Sequence, residues 1–282
     1  MLFGKNLGYY LSLDETSLSN GELYTILANK AANGKKGSIV AIVKGTKADD
    51  VINVLNKIPV ERRNMVKEVT LDMAGNMNLI AKKCFPRTEI VTDRFHVQKL
   101  ASEAVQEERI RLRWEVIEAE NKAIEEARKT EKTYRPELLA NGDTHRQLLA
   151  RSRYLLFKPR TKWTPGQIER AEILFQLYPT IEKAYKLAQA LSYIYENNTI
   201  KDVARLKLAQ WYNEVENSNF KSFNTIARSI QMHYKPILNY FNNRSTNASA
   251  ESFNAKIKEF RTMFRGVRDV KFFLFRLTKL YA

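Results

Sequence analysis

The chain has 282 residues, enough for one large domain or two modest ones, and its 44% hydrophobic and 28% charged content is ordinary for a globular protein. Its charge is not ordinary: 47 Lys plus Arg against 31 Asp plus Glu leave a net +16, which favours a polyanionic partner such as nucleic acid. No apolar stretch reaches membrane-spanning length, the N-terminus turns polar before a signal-peptide core forms, and a lone cysteine, Cys84, excludes an internal disulfide or a Cys-based zinc cluster and fits a reducing cytosol.

The first hundred residues alternate between strand and helix signals. Residues 7–14, 22–29 and 37–44 are rich in Tyr, Ile, Val, Leu and Thr and predict strands, with Asn20-Gly21 and the Asn33–Gly37 stretch as the turns of two antiparallel hairpins. Val51, Val54, Leu55 and Ile58 then fall at helical spacing until Pro59. A strand at 66–72, a helix at 76–84 and a strand at 88–92 follow. This order, with three antiparallel strands leading into parallel ones linked by helices, is that of the ribonuclease-H-like fold.

From about 95 to 240 the strand signals vanish. A charge-rich run over 97–131 and helical stretches at 145–157, 165–177, 179–195, 200–216 and 222–240 predict an all-helical block. Two basic helices, 246–264 and 269–281, close the chain. The expected fold class is therefore α/β, a ribonuclease-H-like mixed sheet interrupted by a large all-helical insertion. The expected division is a core over 1–98, an insertion over 99–243 and C-terminal helices over 244–282 that complete the core.

Three acids stand out. Asp14 ends the apolar run Tyr9–Leu13, Asp72 ends Val69-Thr70-Leu71, and Glu251 opens the first basic C-terminal helix. Each also has a purely structural explanation: Asp14 can cap a turn, Asp72 can cap the next helix, and Glu251 can favour its helix's positive end. The helix that carries Glu251 is informative, however. Phe253, Ile257, Phe260 and Phe264 form one stripe, beside a polar stripe of Glu251, Asn254, Lys258 and Arg261, and Glu251 lacks a Lys or Arg three or four positions on. Packing the phenylalanine stripe on a sheet would hold Glu251 at its rim, near strand-end aspartates. Three converging carboxylates repel unless a cation neutralises them, and all-oxygen ligands select Mg²⁺ or Mn²⁺; two such ions can drive in-line attack on a phosphodiester.

A second constellation is Asp93-Arg94-Phe95-His96. On a helix starting here, Asp93 and His96 share a face, so His96 can touch a phosphate or be held by Asp93 as a base. Taken alone, a cap aspartate followed by a partly buried histidine is the simpler reading. Asp93 is also the alternative second metal ligand. His145 and His233 are expected to be structural.

Leu13-Asp14-Glu15-Thr16, Leu71-Asp72-Met73, the segment Val91-Thr92-Asp93-Arg94-Phe95-His96 and the run Thr246-Asn247-Ala248-Ser249-Ala250-Glu251-Ser252-Phe253-Asn254-Ala255-Lys256-Ile257-Lys258 resemble the catalytic region of insertion-sequence transposases of the ISL-three type, and Phe264-Arg265-Gly266-Val267-Arg268 matches the arginine-glycine turn that follows. The similarity covers nearly the whole chain. It implies a DDE transposase, with Asp14, Asp72 and Glu251 as catalytic acids and Asp93 and His96 in an auxiliary motif. It further implies two Mg²⁺ or Mn²⁺ ions, cutting and joining of DNA at element ends and target, a homo-oligomer on DNA, and a cytoplasmic, nucleoid-associated bacterial protein. Longer members carry an N-terminal zinc-binding and helix-turn-helix region before the first strand. Here that region is absent ahead of Met1, so the expectation is either a separate end-recognition chain or a truncated, inactive copy.

Beyond Glu251, residues 252–282 hold eight Lys or Arg against two acids, which makes Lys256, Lys258, Arg261, Arg265 and Arg268 the expected phosphate contacts. A second basic run, Arg151, Arg153, Lys158, Arg160 and Lys162, is flanked by Tyr154 and Trp163, suited either to stacking on bases or to core packing. The rival readings are a hydrolytic nuclease of the same fold and a non-catalytic relic that only binds DNA.

Overall fold

The computed structural model describes residues 1–19, 22–264 and 269–282, so the predicted turn at Asn20-Gly21 and the predicted contacts Arg265 and Arg268 lie outside the described residues. Five strands form one mixed sheet: β1 (Tyr10–Ser19), β2 (Glu22–Asn29), β3 (Ile39–Lys44), β4 (Glu68–Leu71) and β5 (Glu89–Thr92). Their order is β3-β2-β1-β4-β5. β1–β2 and β2–β3 are antiparallel, β1–β4 and β4–β5 parallel. The helices are α1 (Ala48–Leu55), α2 (Val60–Arg63), α3 (Gly75–Cys84), α4 (Arg94–Lys129), α5 (His145–Arg151), α6 (Pro165–Leu177), α7 (Pro179–Asn197), α8 (Lys201–Ser218), α9 (Lys221–Met232), α10 (Tyr234–Asn243), α11 (Ala248–Met263) and α12 (Val270–Tyr281). This is a ribonuclease-H-like sheet interrupted by a large helical insertion.

The strand pattern explains the two faces. Side chains alternate along β1, so Leu11 and Leu13 enter one core with Val51 and Leu55 of α1 and Met77, Ile80, Ala81 and Cys84 of α3. Ser12, Asp14 and Thr16 lie on the opposite face. There Tyr24, Ile26, Ala28, Ile39 and Ile42 of β2 and β3 pack against Phe253 and Ile257 of α11 and Phe273, Leu274 and Leu277 of α12. Two apolar faces require two layers of cover, and helices on both sides supply them.

The chain divides into two compact units. One comprises residues 1–96, 199–201 and 233–282, the other residues 97–198 and 202–232. In the first, α10 lies along the edge strand β5: the Asn239 amide donates to the Ile90 carbonyl (2.9 Å) and Asn242 to the Glu89 carboxylate (2.6 Å). In the second, α5 and α6 each begin with a capping box, Thr144 with Gln147 and Thr164 with Gln167, and Pro165 opens α6. Trp211 is buried with its indole N–H on the Leu187 carbonyl (2.9 Å), and buried Asp143 receives Arg151 and Arg170.

Two expectations change. The strand expected to stop at Asp14 continues to Ser19, because β1 keeps its antiparallel partner β2 as far as Ser19↔Glu22 although its parallel pairing with β4 ends at Ser12↔Thr70. The single helix expected over 222–240 is two, α9 and α10, broken at His233 (φ −104°, ψ 23°). Pro236 has no N–H to continue the ladder from α9, and a proline is tolerated only in a first turn, which it occupies in α10.

Candidate functional site

The site is built where the parallel strands end. Ser12 pairs with Thr70, so Asp14 and Asp72 each stand two residues past that pair and project from the same sheet face. Leu71 pairs with Thr92, and the Asp93 amide donates to the Leu71 carbonyl (2.9 Å), which places Asp93 beside Asp72 at the end of β5. Three aspartates thus occupy the ends of three neighbouring strands, or in the case of Asp14 the point where parallel pairing stops.

Each is held differently. Asp14 Oδ1 accepts from the Glu15 amide (2.8 Å), and Oδ2 accepts from the Asn254 side-chain amide of α11 (2.7 Å). Asp72 Oδ1 accepts from the Ala74 amide (2.9 Å) in a turn that leads into α3; the N-cap of α3 is Ala74, so the expected helix-capping role of Asp72 is not what the structure shows. Asp93 is buried, with Oδ1 near the Phe95 amide (3.4 Å) and Oδ2 without a hydrogen-bond partner among the described residues. Its Oδ1 thus faces the first turn of α4, the turn that also carries His96. His96 is half-buried and acts on Asp14.

The electrostatics tie the pieces together. Burial pushes the Asp14 carboxyl up to about 6; the negative charges of Asp72 and Glu251 push the same way, while the Glu15 amide and His96 pull against them. Asp14 consequently feels both other predicted acids and the predicted histidine. Glu251 sits in the first turn of α11 and is exposed. Among the described residues it makes no ion pair, and no three His, Cys, Asp or Glu side chains stand close enough to form a ready metal cage. The donor set itself, three carboxylates and no sulfur or imidazole, suits a hard divalent ion.

α11 is placed by three attachments: the buried side chains Phe253 and Ile257, the Asn254–Asp14 bond, and Lys256 Nζ on the Gly34 carbonyl (3.3 Å). Gly34 has φ +69°, a left-handed conformation that favours glycine whatever the surrounding space. Among the predicted phosphate contacts, Lys256 is thus engaged with the loop, Lys258 is exposed, and the Arg261 guanidinium lies over the Phe273 ring at 5.1 Å. In the second basic run, Trp163 is buried against Phe175 and Tyr185 and donates to the Leu155 carbonyl (2.8 Å), which makes it a core residue. Tyr154 is exposed, with Arg153 over its ring. Cys84 is buried and its thiol is pushed up to about 11 by burial, as a structural cysteine should be. His145 bonds the Tyr178 hydroxyl (2.8 Å).

A family profile described as Transposase, of the DDE ISL3 type, matches residues 11–277. The chain belongs to the ISL3-type transposase family. Its similarity to the transposase for insertion sequence element IS1001 from Bordetella parapertussis is 24% identity over 272 residues, covering 95% of this chain. The chain spans 60% of the length of that curated relative. No solved structure matches it. No helix among the described residues of this transposase-family chain is long and apolar enough to cross a membrane.

The residue that sequence reasoning left without a role is Asn254. Its signal was present: it lies three positions after Glu251 on the polar stripe. What was missing was the partner, 240 positions earlier in the chain.

Proposed function

We propose that this chain carries the catalytic centre of a DNA transposase, in which Asp14, Asp72 and Glu251 hold divalent ions against a phosphodiester. The observation that carries the reading is the Asn254–Asp14 bond, because it seats the helix bearing Glu251 against the strand bearing the first aspartate. Mg²⁺ or Mn²⁺ bound there supplies activation of an attacking oxygen and stabilisation of the leaving oxygen. The protein's own residues do the rest. Asp14 is oriented by Asn254 and by the Glu15 amide, and Asp72 by its turn into α3. Glu251 is exposed in the first turn of α11, and with Asp14 and Asp72 it would hold the cation that offsets the mutual repulsion of their carboxylates. His96 acts on the Asp14 carboxyl and is suited to a substrate phosphate, and the exposed Lys258 is suited to a second phosphate. Water attacks first at the element end; the freed 3′-hydroxyl then attacks target DNA, in an assembly that holds two ends together.

The test is cleavage and strand transfer on pre-nicked and intact end DNA with Mn²⁺, comparing the parent chain with Asp14→Asn, Asp72→Asn and Glu251→Gln. Loss of both reactions in all three variants supports the reading. Cleavage without joining favours a hydrolytic nuclease. DNA binding with no reaction even in the parent favours the relic reading.

A further inference from the structure

The sheet face that carries Asp14 and Asp72 has two chemically different halves. Over β2 and β3 it is apolar and covered by α11 and α12. Over β1 and β4 it carries Ser12, Glu68 and Thr70, all at most 1% exposed. Glu68, Thr70 and Asp72 alternate along one strand, so the polar row leads directly to the second candidate acid. Lys30, which follows β2, spans β1 to reach β4: its Nζ donates to Thr70 Oγ1 (2.7 Å) and to Glu68 Oε1 (3.2 Å). Thr70 also donates to Glu68 Oε1 (3.2 Å). The second Glu68 oxygen, Oε2, accepts from the Asn243 side-chain amide (3.2 Å).

A buried ion pair is a poor way to gain stability, since desolvating both charges offsets their attraction and apolar side chains of the same size do as well. What it does supply is a defined geometry. Asn243 is the last residue of α10, and Arg244 after it is left-handed (φ 52°), which ends the helix there. Only a short connection separates Asn243 from Glu251. One Glu68 oxygen therefore fixes β4 through Lys30 and Thr70, while the other fixes the point from which the chain departs toward α11.

We propose that Lys30, Glu68, Thr70 and Asn243 form a positioning network, centred on the buried Glu68 and Thr70, that sets Glu251 at its working distance from Asp72. This rests on the transposase reading above for the purpose of that distance, but the geometry it claims is measurable without any ion. The network connects two acids that have no covalent reason to share a register, one at a strand end and one on a helix reached through a long insertion. None of the four residues touches the reacting atoms in this arrangement; they act through Asp72 and Glu251.

The decisive experiment compares the full chain with Asn243→Ala, an exposed position whose loss leaves the core intact, and with Asn243→Gln as the rescuing amide. Spin labels at Leu79→Cys on α3 and Ser252→Cys on α11, both exposed, report the α3–α11 distance by pulsed electron resonance. The expected result is a shifted or broadened distance in Asn243→Ala, restored in Asn243→Gln, and Mn²⁺ binding weakened about tenfold, the scale typical of outer-shell changes. Cleavage should lose kcat with KM for DNA unchanged. A distance distribution identical to the parent's overturns the network. A shifted distance in Asn243→Ala, found together with a parent chain that binds no Mn²⁺, keeps the network and removes the catalytic reading instead.

Discussion

The Asn254 side-chain amide donates to Asp14 Oδ2 at 2.7 Å, joining a strand near the start of the chain to a helix near its end. A hydrogen bond to a buried carboxylate contributes about 1.5–3 kcal/mol, and here it also fixes which way the carboxylate faces. Asn254→Ala should therefore reduce DNA cleavage by about tenfold or more while lowering the melting temperature by about 3–10 °C. Parallel kinetics and calorimetry check this. A proportional loss of both would show that Asn254 serves packing alone.

Asp14 predicts a pH dependence of its own. Its folded value of about 6 lies above the ordinary carboxylate value of 3.8, so the folded state binds the proton more tightly than the unfolded state. Stability from this group is present below about pH 4 and is lost as pH rises through about 6. The shift corresponds to about 3 kcal/mol at most, and about 1–2 kcal/mol after allowance for solvent. Denaturant titrations in a chelator at pH 5 and pH 8 should show a smaller decline for Asp14→Asn than for the parent. Equal declines would remove Asp14 as the source, and adding Mn²⁺ at pH 8 should recover stability only in the parent.

Ile257 is fully buried under the sheet and is one of the side chains that seat α11. Ile257→Ala should cost about 2–4 kcal/mol and, because the same helix carries Asn254 and Glu251, should abolish cleavage beyond what the lost folded fraction explains. Activity per folded molecule, with the fraction folded taken from circular dichroism, separates the two effects.

Trp163 and Tyr154 divide the second basic run. Trp163→Ala should destabilise the helical unit by about 3–5 kcal/mol, since its ring packs on Phe175 and Tyr185 and its N–H bonds the Leu155 carbonyl. Tyr154→Ala, at an exposed ring stacked under Arg153, should leave stability within about 0.5 kcal/mol of the parent. It should weaken single-stranded DNA binding by about 1–3 kcal/mol if the ring stacks on a base. Melting curves and a fluorescence titration at fixed salt distinguish the pair.

Much of this molecule is local physics and was visible in the chain. Alternating Leu11 and Leu13, the β-branched run at 39–43 and the break at Pro59 specify strands and helices through short-range sterics and burial. The helix period around Glu251 likewise put Phe253 and Ile257 inward before any coordinates. Where local signals competed, the sequence reading slipped: β1 outlasts Asp14 because its partner β2 extends it, and Pro236 divides a run whose apolar spacing was continuous.

The residue types could be read in the chain itself: carboxylates whose oxygens would suit a hard cation, a net charge of +16 and a stripe that seats α11. Their partners are set by the fold. Asn254 closes on Asp14, and Asn243 on Glu68. Both pairings join positions separated by more than the length of the insertion. A hydrogen bond acts over about 3 Å of space and carries no signature along the chain that forms it.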